Sequence, residues 1–310
     1  MNPAPSIVFF TTASGAGYGL LFWLGLLRPL GLVQMSPMPA LVALVLALAL
    51  ITAGLLSSTL HLGNPKRAWR AFSQWRSSWL SREGVAAVLT YIPALLLGLG
   101  LWVGAPALAV IAGLLAAAGA VATVYCTAMI YASLKPIRQW RHPLVVPGYL
   151  ALSAFSGAVL LAMLAAFSGS GTVPAVLAIL SGAAALLLKR AYWRGIDAAP
   201  PIATIESATT LGFIGKTRTL EPPHTEQNYL LREMGFRIAR KHAAKLRLIA
   251  QLGGFALPVL LAVLALLAGG GLATLALTLG AVLTLAGLLV ERWLMFAEAT
   301  HTVTLYYSGT

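Results

Sequence analysis

Two short polar stretches hold the side chains best suited to chemistry: Thr59-Leu60-His61-Leu62-Gly63-Asn64-Pro65-Lys66-Arg67-Ala68, and Ser81-Arg82-Glu83-Gly84. Each borders a long apolar run, so a ligand that meets them can arrive from a hydrocarbon phase. A histidine exchanges protons close to neutrality, with an ordinary pKa of about 6.5. A nearby carboxyl such as Glu83 can pass protons on to water, and Arg67 or Arg82 can stabilise an anion. A quinone head group matches this set, because it needs a donor at each carbonyl and a group that exchanges protons as the ring changes oxidation state. The same residues have plainer uses. His61 can rest in a headgroup layer, Glu83 can complement a helix dipole beside a cap at Ser81, and arginines at a boundary commonly snorkel. Trp69, Trp75 and Trp79 read as an interfacial aromatic belt.

The elements that must position these residues are transmembrane helices. Of 310 residues, 59% are hydrophobic and 9% charged, against about a quarter charged in an ordinary globular domain. The apolar residues recur in stretches of about 20, the length a helix needs to cross about 30 Å of hydrocarbon with its backbone hydrogen bonds kept internal. Strands of a membrane barrel would alternate over about ten residues, a pattern this chain lacks. Punctuation by Pro, Gly and charge places spans near residues 6–27, 40–62, 84–104, 107–134, 145–167, 173–194, 248–268 and 271–297. The expected fold class is all-α, a polytopic membrane protein of about eight transmembrane helices in a single domain over residues 1–310. The first span follows Met1-Asn2-Pro3-Ala4-Pro5, with no basic start and no clear cleavage site, and is expected to be retained.

The connections alternate in character. Gly104-Ala105-Pro106, Ser168 to Gly171 and Gly269-Gly270-Gly271 are short turns, whereas the others are long and basic. Lys66, Arg67, Arg70, Arg76 and Arg82 follow the second span, Lys135, Arg138 and Arg141 follow the fourth, and eleven more basic residues run from Lys189 to Arg247. These loops share a side with both termini, and only Arg28 lies on the other. The positive-inside rule makes the basic face cytoplasmic. Such a face could also dock an acidic partner, with Lys66, Arg70, Arg76, Arg138 and Arg141 as candidates. The formal net charge of +13 is concentrated there and signals membrane topology rather than nucleic-acid binding. The longest polar segment, 195–247, opens on Pro200-Pro201. From Glu226 to Lys245 it spaces Leu230, Met234 and Ile238 at helical intervals opposite Arg237, Arg240, Lys241 and Lys245. That pattern suits a helix lying on the membrane surface, an early solvated start of the seventh span, or a docking element.

Several chemistries are disfavoured. Relay through b-type haem needs paired histidines facing each other from neighbouring helices. Here His142, His224 and His242 fall in loops or the surface helix, His301 lies beyond the last span, and His61 stands alone at a helix end. Transporters usually hold ionisable residues within their spans, and none of these spans carries one away from its ends. Thr123, Tyr125, Thr127 and Tyr131 of the fourth span read as packing groups. A transporter or a purely structural scaffold is the rival reading. Gly15, Gly17 and Gly19 imitate part of a dinucleotide loop, but no strand precedes them, and close helix contact explains them better. The single cysteine, Cys126, cannot by itself ligate an iron-sulfur cluster, and no metal site is expected.

The run His61-Leu62-Gly63 followed by Pro65, Arg67 and Ala68, with Leu80-Ser81 and Glu83 downstream, resembles the dimethyl sulfoxide reductase anchor subunit family. The likeness is sharp over about residues 57–85, and the eight-span layout extends it over most of the chain. It implies a three-subunit enzyme: a catalytic subunit with a molybdopterin cofactor, an iron-sulfur electron-transfer subunit with four clusters, and a haem-free anchor in the bacterial inner membrane. The anchor would exchange electrons with ubiquinone or menaquinone and would itself make no bond to the main substrate. His61 is then the carried-over quinone residue, and Arg67 and Glu83 match neighbouring family positions. Two segments depart from the reductase anchors: Pro222-Pro223-His224-Thr225-Glu226 through Met234-Gly235-Phe236, and the tail from Glu291-Arg292-Trp293 to Tyr306-Tyr307. Both look more like the anchor of cytoplasmic quinone-linked sulfite dehydrogenases, which send electrons from sulfite to quinone. A reductase would instead oxidise quinol and carry its partner subunits outside.

Overall fold

A computed structural model of the chain describes residues 2–60, 64–201, 203–218, 220–221 and 238–306. Helix is the regular structure of these residues, and eight stretches are long and apolar enough to cross a membrane. They are α1 (Pro5–Leu27), α2 (Pro37–Thr59), α3 (Trp79–Val103), α4 (Pro106–Ala132), α5 (Val145–Ala166) and α6 (Thr172–Ala198), then a seventh span over His242–Ala268 and an eighth over Gly270–Ala297. A short α7 (Ile205–Thr209) lies in the polar segment after α6. The seventh span is built from α8 (Ile238–Ile249), a π-helical stretch (Ala250–Ala256) and α9 (Leu257–Ala268), and the eighth span is α10. A 3₁₀ segment, Pro65–Gln74, bridges α2 and α3.

The fold class agrees with the expectation, and two boundaries differ in ways that matter. The third span starts at Trp79 rather than at Gly84, so Arg82 and Glu83 lie within it. Ser78 rather than Ser81 is its extended N-cap residue, and Ser81 is buried inside the first turns. The sixth span runs to Ala198, beyond the expected end at Arg194. The cause is Arg138, whose guanidinium donates to the carbonyl of Ile196 at 2.8 Å and to those of Ala199 and Pro200. Those are the unpaired carbonyls of a helix C-terminus, and a cation there also meets the negative end of the helix dipole. From Ile238 onward the expected surface helix is continuous with the seventh span, while residues 226–237 lie outside the described residues.

α1 is the axis of the bundle, with 72% of its apolar window buried, and it packs against α2, α4, α5 and α10. Backbones meet directly where it crosses α5: a Cβ added to Gly157 would stand 2.0 Å from the Gly19 carbonyl carbon. Membrane helices without a hydrophobic drive to associate rely on such small-residue contacts. Gly17 likewise meets Ala47 and Ile51 of α2, but a Cβ at Gly15 would meet nothing within 4 Å. Two of the three glycines are helix contacts, therefore, and the third borders open space.

α3 and α4 form an antiparallel hairpin closed by Gly104, whose φ of 69° and N–H bond to the Gly100 carbonyl end the first helix. The hairpin aligns the start of α3 with the end of α4. Within it Gly119 makes room for Thr90, whose hydroxyl lies 3.4 Å from that of Thr123.

Candidate functional site

Glu83 sits in the second turn of α3 and is only 4% exposed. A carboxyl is costly to keep from water unless it is hydrogen-bonded, and the partner is Thr127 of α4, whose hydroxyl donates to Oε1. The same hydroxyl lies 3.0 Å from the Thr123 carbonyl one turn back. One hydroxyl proton cannot serve both acceptors at once. With Glu83 ionised, Thr127 donates to the carboxylate; with Glu83 protonated, the carboxyl donates to Thr127, and Thr127 turns to the Thr123 carbonyl. The pair therefore satisfies either protonation state without moving a helix, as a proton-exchanging group requires. Thr127 does more here than the packing expected of it.

Arg82 points away from this pair. Its Nε donates to the Trp75 carbonyl at 3.0 Å, Nη2 donates to the Arg76 carbonyl at 2.7 Å, and the guanidinium stacks over Trp79 at 4.3 Å. It fixes the turn that delivers the 3₁₀ segment to α3. Phe72 of that segment packs at Gly84, and Trp79 meets Tyr125 edge-on at 5.8 Å. Lys66, Arg67, Arg70 and Arg76 are exposed, as are Trp69 and Trp75. His61 lies outside the described residues, as does His224, so the geometry covers the Glu83 half of the expected pair. Of the other docking candidates, Arg141 is exposed, and Arg138 is bonded to the end of α6. His142 packs edge-on against Tyr192 at 5.4 Å and accepts from the Leu144 amide. Burial and the nearby Lys189 charge lower its pKa. Among the described residues no three His, Cys, Asp or Glu side chains group together.

Sequence reading missed one constellation. Lys189 of α6 and Glu291 of α10 pair at 2.5 Å, and Arg292 Nε stands 3.0 Å from the other Glu291 oxygen. All three are buried, Glu291 completely. Lys189 also lies 4.1 Å from the Tyr192 ring and 4.9 Å from that of Trp193, while Arg292 covers the Tyr149 ring at 4.0 Å. These charges lie in the expected spans near their basic ends, where snorkelling is the simpler assumption. The available signal was depth: at 1.5 Å per residue, Lys189 is about 7.5 Å inside the expected end at Arg194 and Glu291 about 9 Å inside the expected end at Ala297, and the observed end of α6 at Ala198 sets Lys189 about 13 Å deep. Closer to the surface, Arg247 clamps Asp197 at 2.7 Å and Glu298 at 2.7 Å, tying the ends of α6, α8 and α10 together.

A basic, aromatic-rimmed face with a buried carboxyl beneath it, carried by eight lipid-length helices, defines a polytopic membrane protein whose candidate site lies at one end. The family model described as DMSO reductase anchor subunit (DmsC) matches residues 1–307, and the chain belongs to that family. Among curated proteins it is similar to a sulfite dehydrogenase subunit from Allochromatium vinosum, with 34% identity over 332 aligned residues that cover 100% of this chain and 99% of the relative. No solved structure matches it.

Proposed function

We propose that this chain is the membrane anchor and quinone-exchange subunit of a three-subunit molybdopterin and iron-sulfur oxidoreductase, passing electrons from sulfite oxidation to quinone. The observation that carries the reading is Glu83, buried yet poised between two protonation states, a turn inside the face that holds the His61 stretch. The end-to-end likeness to a protein named for sulfite dehydrogenase supports the substrate. Quinone, arriving from lipid, is held near the ends of α2 and α3, with His61 donating to one carbonyl and Glu83 exchanging protons. Arg67 lies within reach along the chain to stabilise a reduced ring. The exposed Lys66, Arg70, Arg76 and Arg141 receive the iron-sulfur subunit, whose terminal cluster supplies the electrons. The positive-inside rule puts this face in the cytoplasm of a bacterial inner membrane. The family description favours one alternative, a reductase that oxidises quinol at the same site.

Purification from the native membrane tests the assembly: molybdenum and iron-sulfur subunits co-purify on this reading, and a chain isolated without them refutes it. In the assembled complex, His61→Ala and Glu83→Gln each lower sulfite-dependent quinone turnover by roughly 10²-fold or more. Sulfite-dependent reduction of a soluble acceptor, which bypasses the quinone, is unchanged. Unaltered quinone turnover in both variants sinks the site assignment and leaves a structural scaffold. Turnover with quinol and a sulfoxide, but none with sulfite, selects the reductase.

A further inference from the structure

Glu83 is buried, so its protons need a way to water that its own surface does not provide. Thr127, its partner, lines a cavity of about 20 Å³ whose walls come from α1, α4, α5 and α10. A second cavity, of about 10 Å³, lies between α5, α6 and α10 and reaches Leu144 and Val145, where α5 begins at the basic face. The inner cavity is large enough for about one water, and the outer is at the lower limit for one. Tyr149 and Arg292 line both. The Tyr149 hydroxyl is fully buried with the Arg292 guanidinium beside it, and that of Tyr18, which lines the inner cavity, is buried beside Thr123. A guanidinium donates only, so the proton of the Tyr149 phenol still needs an acceptor, and water in these cavities is the one available to it. Two glycines mark the spaces: Gly15 lines the inner cavity and Gly148 the outer, and a Cβ at either would meet nothing within 4 Å.

We propose that Tyr149 relays protons between the basic face and Glu83 through these two cavities. A proton from water at the start of α5 enters the outer cavity and binds the Tyr149 oxygen as the phenol releases its own proton to water in the inner cavity. That water protonates the Thr127 hydroxyl, which gives its proton to the Glu83 carboxylate. Only O–H bonds form and break, and no electrons move. Arg292 over the ring, held by Glu291 and through it by Lys189, fixes the orientation of Tyr149, which makes those three positioning residues. This inference rests on the reading of Glu83 as the proton-exchanging group of the quinone site.

Infrared spectroscopy of the purified chain in lipid nanodiscs tests it. The Glu83 carboxyl band is identified by its loss in Glu83→Gln, and its exchange is followed on transfer to D₂O. Tyr149→Phe keeps the ring, which stacks on Tyr131 at 5.9 Å, and Gly148→Val fills the outer cavity. Both variants slow exchange by at least roughly tenfold. Wild-type rates in either variant overturn the route, as does a wild-type band that does not exchange or cannot be produced at any pH. If Tyr149→Phe fails to fold, Gly148→Val decides. Quinone turnover that survives Glu83→Gln in the assembled complex, while the wild-type band exchanges and Tyr149→Phe slows it, overturns the quinone assignment and leaves the route standing, so the two failures are distinguishable.

Discussion

Removing Glu291 should cost far more stability than removing Lys189, although the two form one ion pair. Glu291 is the shared anion of two cations, with Lys189 at 2.5 Å and Arg292 at 3.0 Å, and all three are buried. Glu291→Gln leaves two like charges packed together without a counter-ion, and stripping one partner from a buried pair typically costs about 3–5 kcal/mol. Lys189→Met leaves Glu291 and Arg292 as a matched pair. It forfeits cation–π contacts to Tyr192 and Trp193, which lie at 4.1 and 4.9 Å, a loss of about 0.5–2 kcal/mol. A methionine sulfur against the same rings returns about 0.3–1.5 kcal/mol, and the desolvation of one cation is relieved. The net change should fall within about 1 kcal/mol of zero, since apolar replacement of buried charge is often neutral. Equilibrium unfolding of the purified chain by SDS in mixed micelles, followed by tryptophan fluorescence, reads the difference directly. Equal losses, or a larger loss for Lys189→Met, would refute the account of Glu291 as the common counter-ion.

Other outcomes follow from the same geometry. Gly157→Ala forces α5 away from Gly19, where a Cβ would stand 2.0 Å from backbone, and should lower stability by about 1–3 kcal/mol; Gly148→Ala meets open space and should be neutral or stabilising in the same SDS titration. Arg138→Ala unpairs the carbonyls at the end of α6 and should cost about 1–3 kcal/mol, with hydrogen exchange rising at residues 194–199. His142 has a folded pKa below its ordinary 6.5 because of burial and Lys189. The unfolded chain therefore binds its proton first, and this contribution to stability is complete above about pH 6.5 and is lost as pH falls through the folded value. A Tm profile in detergent should decline on acidification through that window, and His142→Phe should flatten it; an identical slope in the variant would show that other groups dominate.

The spans were legible because their signal is local: about 20 apolar residues between breakers suffice to specify a lipid-spanning helix. Glu83 stood out in the sequence as a candidate, but its burial did not. Its environment depends on where α3 starts and on Thr127, 44 residues away in the chain, and neither can be read from the residues around it. Arg138 shows the same limit, since a loop arginine reads as surface charge until the end of α6 is found beside it. Lys189 and Glu291 escaped because each alone is a plausible end-of-helix charge, and only packing brings them together. Gly15, Gly17 and Gly19 illustrate the converse case, in which one local pattern covers two packing contacts and one cavity wall.

The depth of the charges has a consequence for energy conversion. Among the described residues every Asp, Glu, Lys, Arg and His within a span belongs to α3, α6, the seventh span or α10, and each lies toward the basic end. Toward the opposite end the charged group is Arg28, just beyond α1, with its Nε bonded to the Met35 carbonyl at 2.6 Å. Intramembrane proton paths ordinarily require ionisable or watered groups along their length, and the proposed route from the start of α5 through Tyr149 to Glu83 leaves and returns on one side. Under the proposed function, electrons from a partner docked on the basic face and protons drawn from that face would meet at the quinone without net charge crossing the membrane. The complex in proteoliposomes, given its substrate and quinone, should turn over without generating a membrane potential on a voltage-sensitive dye, and should not accelerate when an uncoupler is added. A potential that grows with turnover and collapses with uncoupler would require a path through α1, α2 and α4 to the far face, and would overturn the one-sided arrangement.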